Sequence, residues 1–411
     1  MCYDKTKSNL KWRNGMTSFL KTAIKRENIG FTLVQSLYQF GFCCYNNFLV
    51  LYLQEHGFTN TECGLTITLQ AVITLALQPV YGYITDTYLS CKKFLMLATA
   101  LSIPAALLLP ATVKTVPLAM LSVVVYSAFF NTNSAIIDAW ELLLRDERPY
   151  IRFELTRGMA SFFYAFFILG FGALMEHFGT RMMFFSYGLV ASALIVGCLV
   201  IPGVPCCNGP RSGAASIGTL QALGLLARQK RYVLFLLSGL CFNIALRSTM
   251  TFLPNYVALF QQGSGMLALL LCTTALAEMP TLNLLGRINR KSRVEYSGLI
   301  VLSSMLCNLL ILHHLSSAEG LILAMVFRGI AHIGFLGVSM EFICQNTPRQ
   351  LNSTAITLGS ACTIYLGSII GSWLGGVLID SMGLPALTLF AIIFLLLALL
   401  SYLPLLRQKN A

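Results

Sequence analysis

Apolar stretches long enough to cross a lipid bilayer recur along almost the whole chain, and nothing else constrains the fold so tightly. They run at 29–54, 60–84, 94–113, 117–143, 154–175, 181–202, 231–256, 265–285, 295–313, 319–343, 352–378 and 385–405. A membrane-spanning helix takes ~20 such residues. Only 11% of the 411 residues are charged, against about 25% in an ordinary globular chain, too few to cover a soluble surface of this size. The expected fold is an all-α membrane protein of twelve transmembrane helices, arranged as two pseudo-symmetric six-helix halves. A basic segment, 1–28, precedes the first half, 29–202. The linker 203–230 contains PGVPCCNGPRSGAAS, Pro/Gly/Ser-rich as connections between half-domains are. The second half is 231–405, and 406–411 form a tail.

The net charge of +12 is explained by topology. With the N-terminus in the cytoplasm, 24 of the 28 Lys and Arg fall in cytoplasmic segments and the span ends beside them, and 2 fall in outer loops. Arg247 and Arg328 lie within spans. The split follows the positive-inside rule, places both termini in the cytoplasm and removes any need for a nucleic-acid partner. Trp12, Met16, Phe19, Leu20 and Ile24 share one face of a basic segment, which suits an amphipathic helix on the inner leaflet. A solvated basic tail is the plainer alternative. The thirteen cysteines show no metal-ligand spacing and no disulfide pattern, so neither a metal nor another cofactor is expected.

The halves echo one another. Gly172-Ala-Leu-Met-Glu-His-Phe-Gly179 matches Gly376-Val-Leu-Ile-Asp-Ser-Met-Gly383 at an offset of 204. Gln78-Pro-Val-Tyr-Gly-Tyr-Ile-Thr-Asp86 with Lys92 and Lys93 is matched by Pro280 with Arg287, Arg290, Lys291 and Arg293, at an offset near 201. Duplicated halves that rock about a midplane site are a transporter architecture. In the loop after span two, Gly82 permits close helix approach, Asp86 can cap or pair a helix end, and Lys92 and Lys93 can meet lipid headgroups. These residues, within QPVYGYITDTYLSCKK, resemble the signature of the major facilitator superfamily. More narrowly, they resemble the lactose permease branch of oligosaccharide–proton symporters. The resemblance implies alternating access by a twelve-helix carrier.

Ionisable groups at membrane depth are costly and mark function by default. In span four, Asn131, Ser134 and Asp138 share a face. In span five, Arg157, Ser161 and Tyr164 do the same. The two spans form an antiparallel hairpin, so Asp138 can meet Arg157. Two uses fit such a pair: oriented donors and acceptors for solute hydroxyls, or a brace for the hairpin. The resemblance implies the first, because that branch uses a carboxylate on helix four, an arginine on helix five and an aromatic ring two turns on. Asp138, Arg157 and Tyr164 stand at those places, with tyrosine for the branch's tryptophan. Span one adds Gln35, Gln39, Cys43 and Asn46 at near-helical spacing, with Tyr38 and Asn47 adjacent. Amides there serve either a polyhydroxyl solute or helix packing.

The second half departs from the branch. Span seven carries Asn243 and Arg247 where the branch has an aspartate, span ten carries Arg328 and His332, and span eleven has no lysine. Lactose itself is therefore not implied. Glu278, in Glu278-Met-Pro280, is the candidate proton carrier, with Arg247 and Arg328 as cations that could drive release and His332 as relay. A static brace of the same groups is the alternative. The expected function is proton-coupled sugar import by a monomer in the plasma (inner) membrane, its partners being the solute, protons and lipids. A carrier of small organic anions or nucleosides is the first alternative. A non-transporting sensor or scaffold is the second, disfavoured because no stretch outside the membrane exceeds about 28 residues. No motif of an enzyme is present.

Overall fold

A computed structural model describes residues 25–203, 225–291, 293–347 and 352–407. The basic face at residues 12–24 and most of the central linker lie outside the described residues. The described chain makes twelve helical passes. They are α1 (Arg26–Phe42, a π-turn at Cys43–Asn47, then Leu49–Glu55), α2 (Asn60–Thr87), α3 (Cys91–Thr112) and α4 (Val116–Phe130 and Asn133–Glu147). Next come α5 (Phe153–Phe178), α6 (Met182–Val200), α7 (Lys230–Thr251 and Leu253–Ala258) and α8 (Ser264–Lys291). The last four are α9 (Val294–His313), α10 (Ala318–Asn346), α11 (Asn352–Ser360, a π-turn at Ala361–Tyr365, then Leu366–Met382) and α12 (Leu384–Arg407). Eleven of these are long and apolar enough to cross a membrane among the described residues. The exception, α1, is interrupted at Phe48, which leaves the helical conformation just after the π-turn.

Local chemistry fixes the ends. Thr59 and Glu62 form a reciprocal capping box that starts α2, satisfying two otherwise bare amides. Helices α5 and α11 both stop at a glycine with positive φ, Gly179 at 81° and Gly383 at 84°, a conformation glycine adopts without a Cβ clash. These are the two glycines that close the repeated motif. The repeat is also spatial: α2 begins at Asn60 and α8 at Ser264, and each carries an internal proline, Pro79 and Pro280.

The halves meet along two seams, α2 against α11 and α5 against α8. The contact is made at one side of the bundle. The far side carries the α1–α2, α5–α6, α7–α8 and α11–α12 connections; the terminus side carries the chain ends and the linker. At the far side the Asp380 carboxylate accepts from Asn60 N and Nδ2 (3.1 and 2.8 Å) and from Thr61 N and Oγ1 (2.7 and 2.6 Å). Gln54 Nε2 donates to Asn255 Oδ1 at 2.7 Å, and Asn255 Nδ2 donates to Asn60 Oδ1 at 2.8 Å. A Cβ at Gly64 would strike the Ser372 carbonyl oxygen, and one at Gly376 the Asn60 carbonyl oxygen. One apolar core runs from the first half into Phe252, Leu253, Leu267 and Leu321 at the far side of the second. The remaining core, Tyr232 to Leu405, stays within the second half.

The terminus side is open by comparison. Among the described residues no atom lies within 4 Å of a Cβ placed on Gly82 or Gly158, so the close helix approach expected at Gly82 is not seen among them. Asp86 is exposed. Lys92 Nζ donates to the Ile201 carbonyl at 2.7 Å, closing the end of α6 rather than reaching outward to headgroups, while Lys93 is exposed.

Candidate functional site

Helices α4 and α5 are joined by a short turn, so Asp138 and Arg157 face each other a few residues from it. Arg157 Nη1 lies 2.5 Å from Asp138 Oδ2, and the two side chains keep 42% and 25% of their exposure. Gln35 Nε2 of α1 donates to the other carboxylate oxygen at 2.9 Å. The carboxylate is thus held from two helices, and both side chains of the pair stay partly exposed. Ser161 Oγ donates to the Arg157 carbonyl at 3.2 Å, so its hydroxyl serves its own helix.

A second polar layer lies further toward the far side. Asn47 Nδ2 donates to the Tyr164 hydroxyl at 2.7 Å. Asn46 Nδ2 reaches the Tyr126 hydroxyl (3.2 Å) and Asn131 Oδ1 (3.4 Å), and its Oδ1 accepts from Gln70. The Tyr38 hydroxyl donates to the Asn131 carbonyl at 3.2 Å. The expected amide stripe is altered by the π-turn. That turn adds a residue to one helical turn, so Asn46 and Asn47 both point inward while Cys43 is fully buried. Gln39 is half-buried and stands apart from these bonds.

One buried acid near the pair was not singled out from the sequence. Glu141 is 0% exposed, one turn from Asp138, and its Oε1 accepts from Thr156 Oγ1 at 2.5 Å. Its Oε2 is buried with no hydrogen-bond partner, a costly arrangement for a charged carboxylate. The i, i+3 spacing of Asp138 and Glu141 within the fourth apolar span was the available signal, but Glu141 stands near the end of that span, where charged residues follow.

In the second half Glu278 Oε1 lies 2.7 Å from His332 Nδ1. The brace of Glu278 with arginine, one of the two sequence readings, does not form: among the described residues no ion pair reaches Arg247 or Arg328. Across the gap, the Tyr164 hydroxyl lies within electrostatic reach of Glu278 and Arg328, and the Tyr38 hydroxyl within reach of Tyr365 on the α11 π-turn. Groups of both halves therefore converge midway along the bundle. The three glycines Gly367, Gly371 and Gly375 lie against Asn243, Ile244 and Phe252 of α7 and serve packing. Among the described residues no cluster of His, Cys, Asp or Glu could hold a metal ion.

A sequence profile of the Major Facilitator Superfamily matches residues 31–362. Solved structures share the fold. The crystal structure of nucleoside transporter NupG superposes with a TM-score of 0.78 at 13% identity, covering 93% of this chain and 99% of that one. The crystal structure of an auto-inhibited POT family peptide transporter gives 0.71 at 12% identity, covering 94% and 98%. A search of curated protein sequences finds no match. A convergent polar midplane between two duplicated six-helix halves, with a profile covering most of the length, makes this integral membrane protein a member of the major facilitator superfamily.

Proposed function

We propose that the chain is a secondary active transporter that imports a sugar, a small oligosaccharide or glycoside, together with protons. One observation carries this reading: the Asp138–Arg157 pair is oriented by Gln35 and left partly open to the gap between the halves. A carboxylate and a guanidinium fork present acceptors and donors at fixed angles, the arrangement that hydroxyl groups need. Tyr164, about two turns deeper along α5, supplies a ring suited to sugar C–H groups. The resemblance of QPVYGYITDTYLSCKK to the oligosaccharide–proton symporters supports the same solute class.

Transport follows from the unequal sides of the bundle. The far side is sealed and the terminus side open. The distribution of Lys and Arg supports a cytoplasmic terminus side, and hence an inward-facing conformation of a plasma-membrane monomer. Solute released there would be followed by parting of the α2–α11 and α5–α8 seams and closure at Gly82 and Gly158. Asp86, Lys92 and Lys93 lie where that closure would bring them together, and Lys93 is placed to meet lipid headgroups. The Glu278–His332 pair supports proton coupling, since the proton can pass between carboxylate and imidazole as its surroundings change. Glu141, with one bare buried oxygen, is a second place where a proton can be held.

Right-side-out vesicles test this directly. Adding a transported neutral glycoside should alkalinise the medium, and Glu278→Gln should abolish that signal and uphill accumulation while solute exchange across the membrane continues. Alkalinisation that persists undiminished in Glu278→Gln removes Glu278 from the coupling path. Solute uptake with no proton movement in the unaltered protein refutes symport.

A further inference from the structure

Among the described residues, two guanidinium groups in the second half have no carboxylate partner. Arg328 is 2% exposed and Arg247 is half-buried. The Nε atoms of both are buried without a hydrogen-bond partner. Arg328 Nη1 reaches only Met325 Sδ, at 3.4 Å, and a thioether is a weak acceptor. The nearby carboxylate, Glu278, is already bound to His332. Four other arginines have acids: Arg148 pairs with Glu27, Arg157 with Asp138, and Arg231 and Arg293 share Glu295. Arg26, Arg145, Arg152, Arg181 and Arg228 have no ion pair among the described residues but are exposed to solvent, which Arg247 and Arg328 are not.

The two arginines also act on one another. Arg328 lies within electrostatic reach of Arg247, Glu278 and the Tyr164 hydroxyl, and Arg247 within reach of the Tyr365 hydroxyl. One carboxylate, engaged by a histidine, faces two like charges at membrane depth, where unpaired charge is strongly disfavoured. Tyr38 bridges the remaining space, since it senses Tyr365 on one side and Asp138 and Arg157 on the other. The arginine pair therefore stands on the wall opposite the Asp138–Arg157 pair.

We propose that Arg247 and Arg328 form an anion-binding subsite, and that the solute is a hydroxylated organic anion carrying a carboxylate or phosphate. Its hydroxyls meet Asp138 and Arg157 across the gap, and its oxyanion takes up the unpaired forks. Two guanidinium planes suit an oxyanion because each can donate two parallel N–H bonds. The proposal rests on the hydroxyl-binding role given above to Asp138 and Arg157, and it narrows the solute from sugars in general to sugars bearing an acid group.

The test is equilibrium binding to the purified full-length protein by titration calorimetry at fixed ionic strength. Four probes suffice: glucose, glucuronate, glucose 6-phosphate and acetate. One of the two sugar anions is expected to bind at least ~10-fold more tightly than glucose, about the loss caused by one charged hydrogen bond. The anion that does so decides between carboxylate and phosphate. Arg247→Gln and Arg328→Gln should each erase that preference and leave glucose binding within about twofold of the unaltered protein, well under the ~10-fold loss of a charged hydrogen bond. Glucose binding as tightly as both anions, or a preference that survives both substitutions, overturns the subsite but leaves the hydroxyl role intact. Acetate binding as tightly as the sugar anions, and failing in the variants, upholds the subsite and overturns the hydroxyl role. Binding of none of the four overturns both. If Arg328→Gln does not fold, Arg247→Gln and the charge preference of the unaltered protein decide the matter.

Discussion

Arg157→Lys is expected to weaken solute binding about a hundredfold while leaving the protein folded. Lysine keeps the positive charge, so it can still pair with Asp138, but it loses the planar fork and the further N–H donors that the proposed binding role uses. Two charged hydrogen bonds lost at ~1.4 kcal/mol per tenfold account for that magnitude. Stability should change little, because the pair is 42% and 25% exposed and partly solvated ion pairs contribute ~0–1 kcal/mol. Titration of solute into both proteins, with a thermal melt of each, separates the two uses of the pair. Unchanged affinity with a lowered melting temperature would show that Arg157 only braces the α4–α5 hairpin.

The second large effect is expected at Gly64. A side chain there would overlap the Ser372 carbonyl oxygen of α11, and a backbone oxygen cannot rotate away as a side chain can. Gly64→Leu should therefore prevent closure of the far side and hold the molecule open there, with net transport reduced at least ~100-fold. A ~100-fold shift against the closed state takes about 2.7 kcal/mol, which lies within the ~1–3 kcal/mol that overpacking commonly costs. The neighbouring Cys63 reports the outcome. It is fully buried and should resist an impermeant maleimide in the unaltered protein, then label rapidly in Gly64→Leu, as read by mass spectrometry of its peptide. Protection that matches the unaltered protein would show that α2 and α11 accommodate the leucine without parting.

Much of this was legible from residue patterns. The α4–α5 pair was readable because Asp138 and Arg157 flank one short connection, and an antiparallel hairpin leaves little choice of partner. The repeat was readable because its glycines answer a backbone demand, the positive φ that ends α5 and α11. The first helix was less so. A stripe at Gln35, Gln39, Cys43 and Asn46 assumes an unbroken period of 3.6, and the π-turn breaks it: Asn47 gains a partner in Tyr164 while Gln39 is left aside. Arginine direction was also illegible. Arg247 and Arg328 sit at depths that allow them to meet Glu278, yet His332 takes the carboxylate, since pairing depends on helix rotation that spacing along one chain does not record. Glu141 went unseen because it stands close to the end of its span, one turn before Arg145, Asp146 and Glu147, and only packing against α5 places it inside.

The two seams, though related by the repeat, are unequally fastened. Asp380 grips the first turn of α2 with four hydrogen bonds. Its counterpart, Glu176, lies against Gly265 in the first turn of α8 but is exposed, and the nearest bond across that seam is a long one, Ser264 Oγ to the Gly172 carbonyl at 3.4 Å. The repeated motif thus carries a tight clasp on one seam and a looser one on the other. The α5–α8 edge is therefore expected to part first when the far side opens, with the halves swinging on the α2–α11 edge like a door on its hinge; faster amide exchange in the first turn of α8 than in that of α2 would show it.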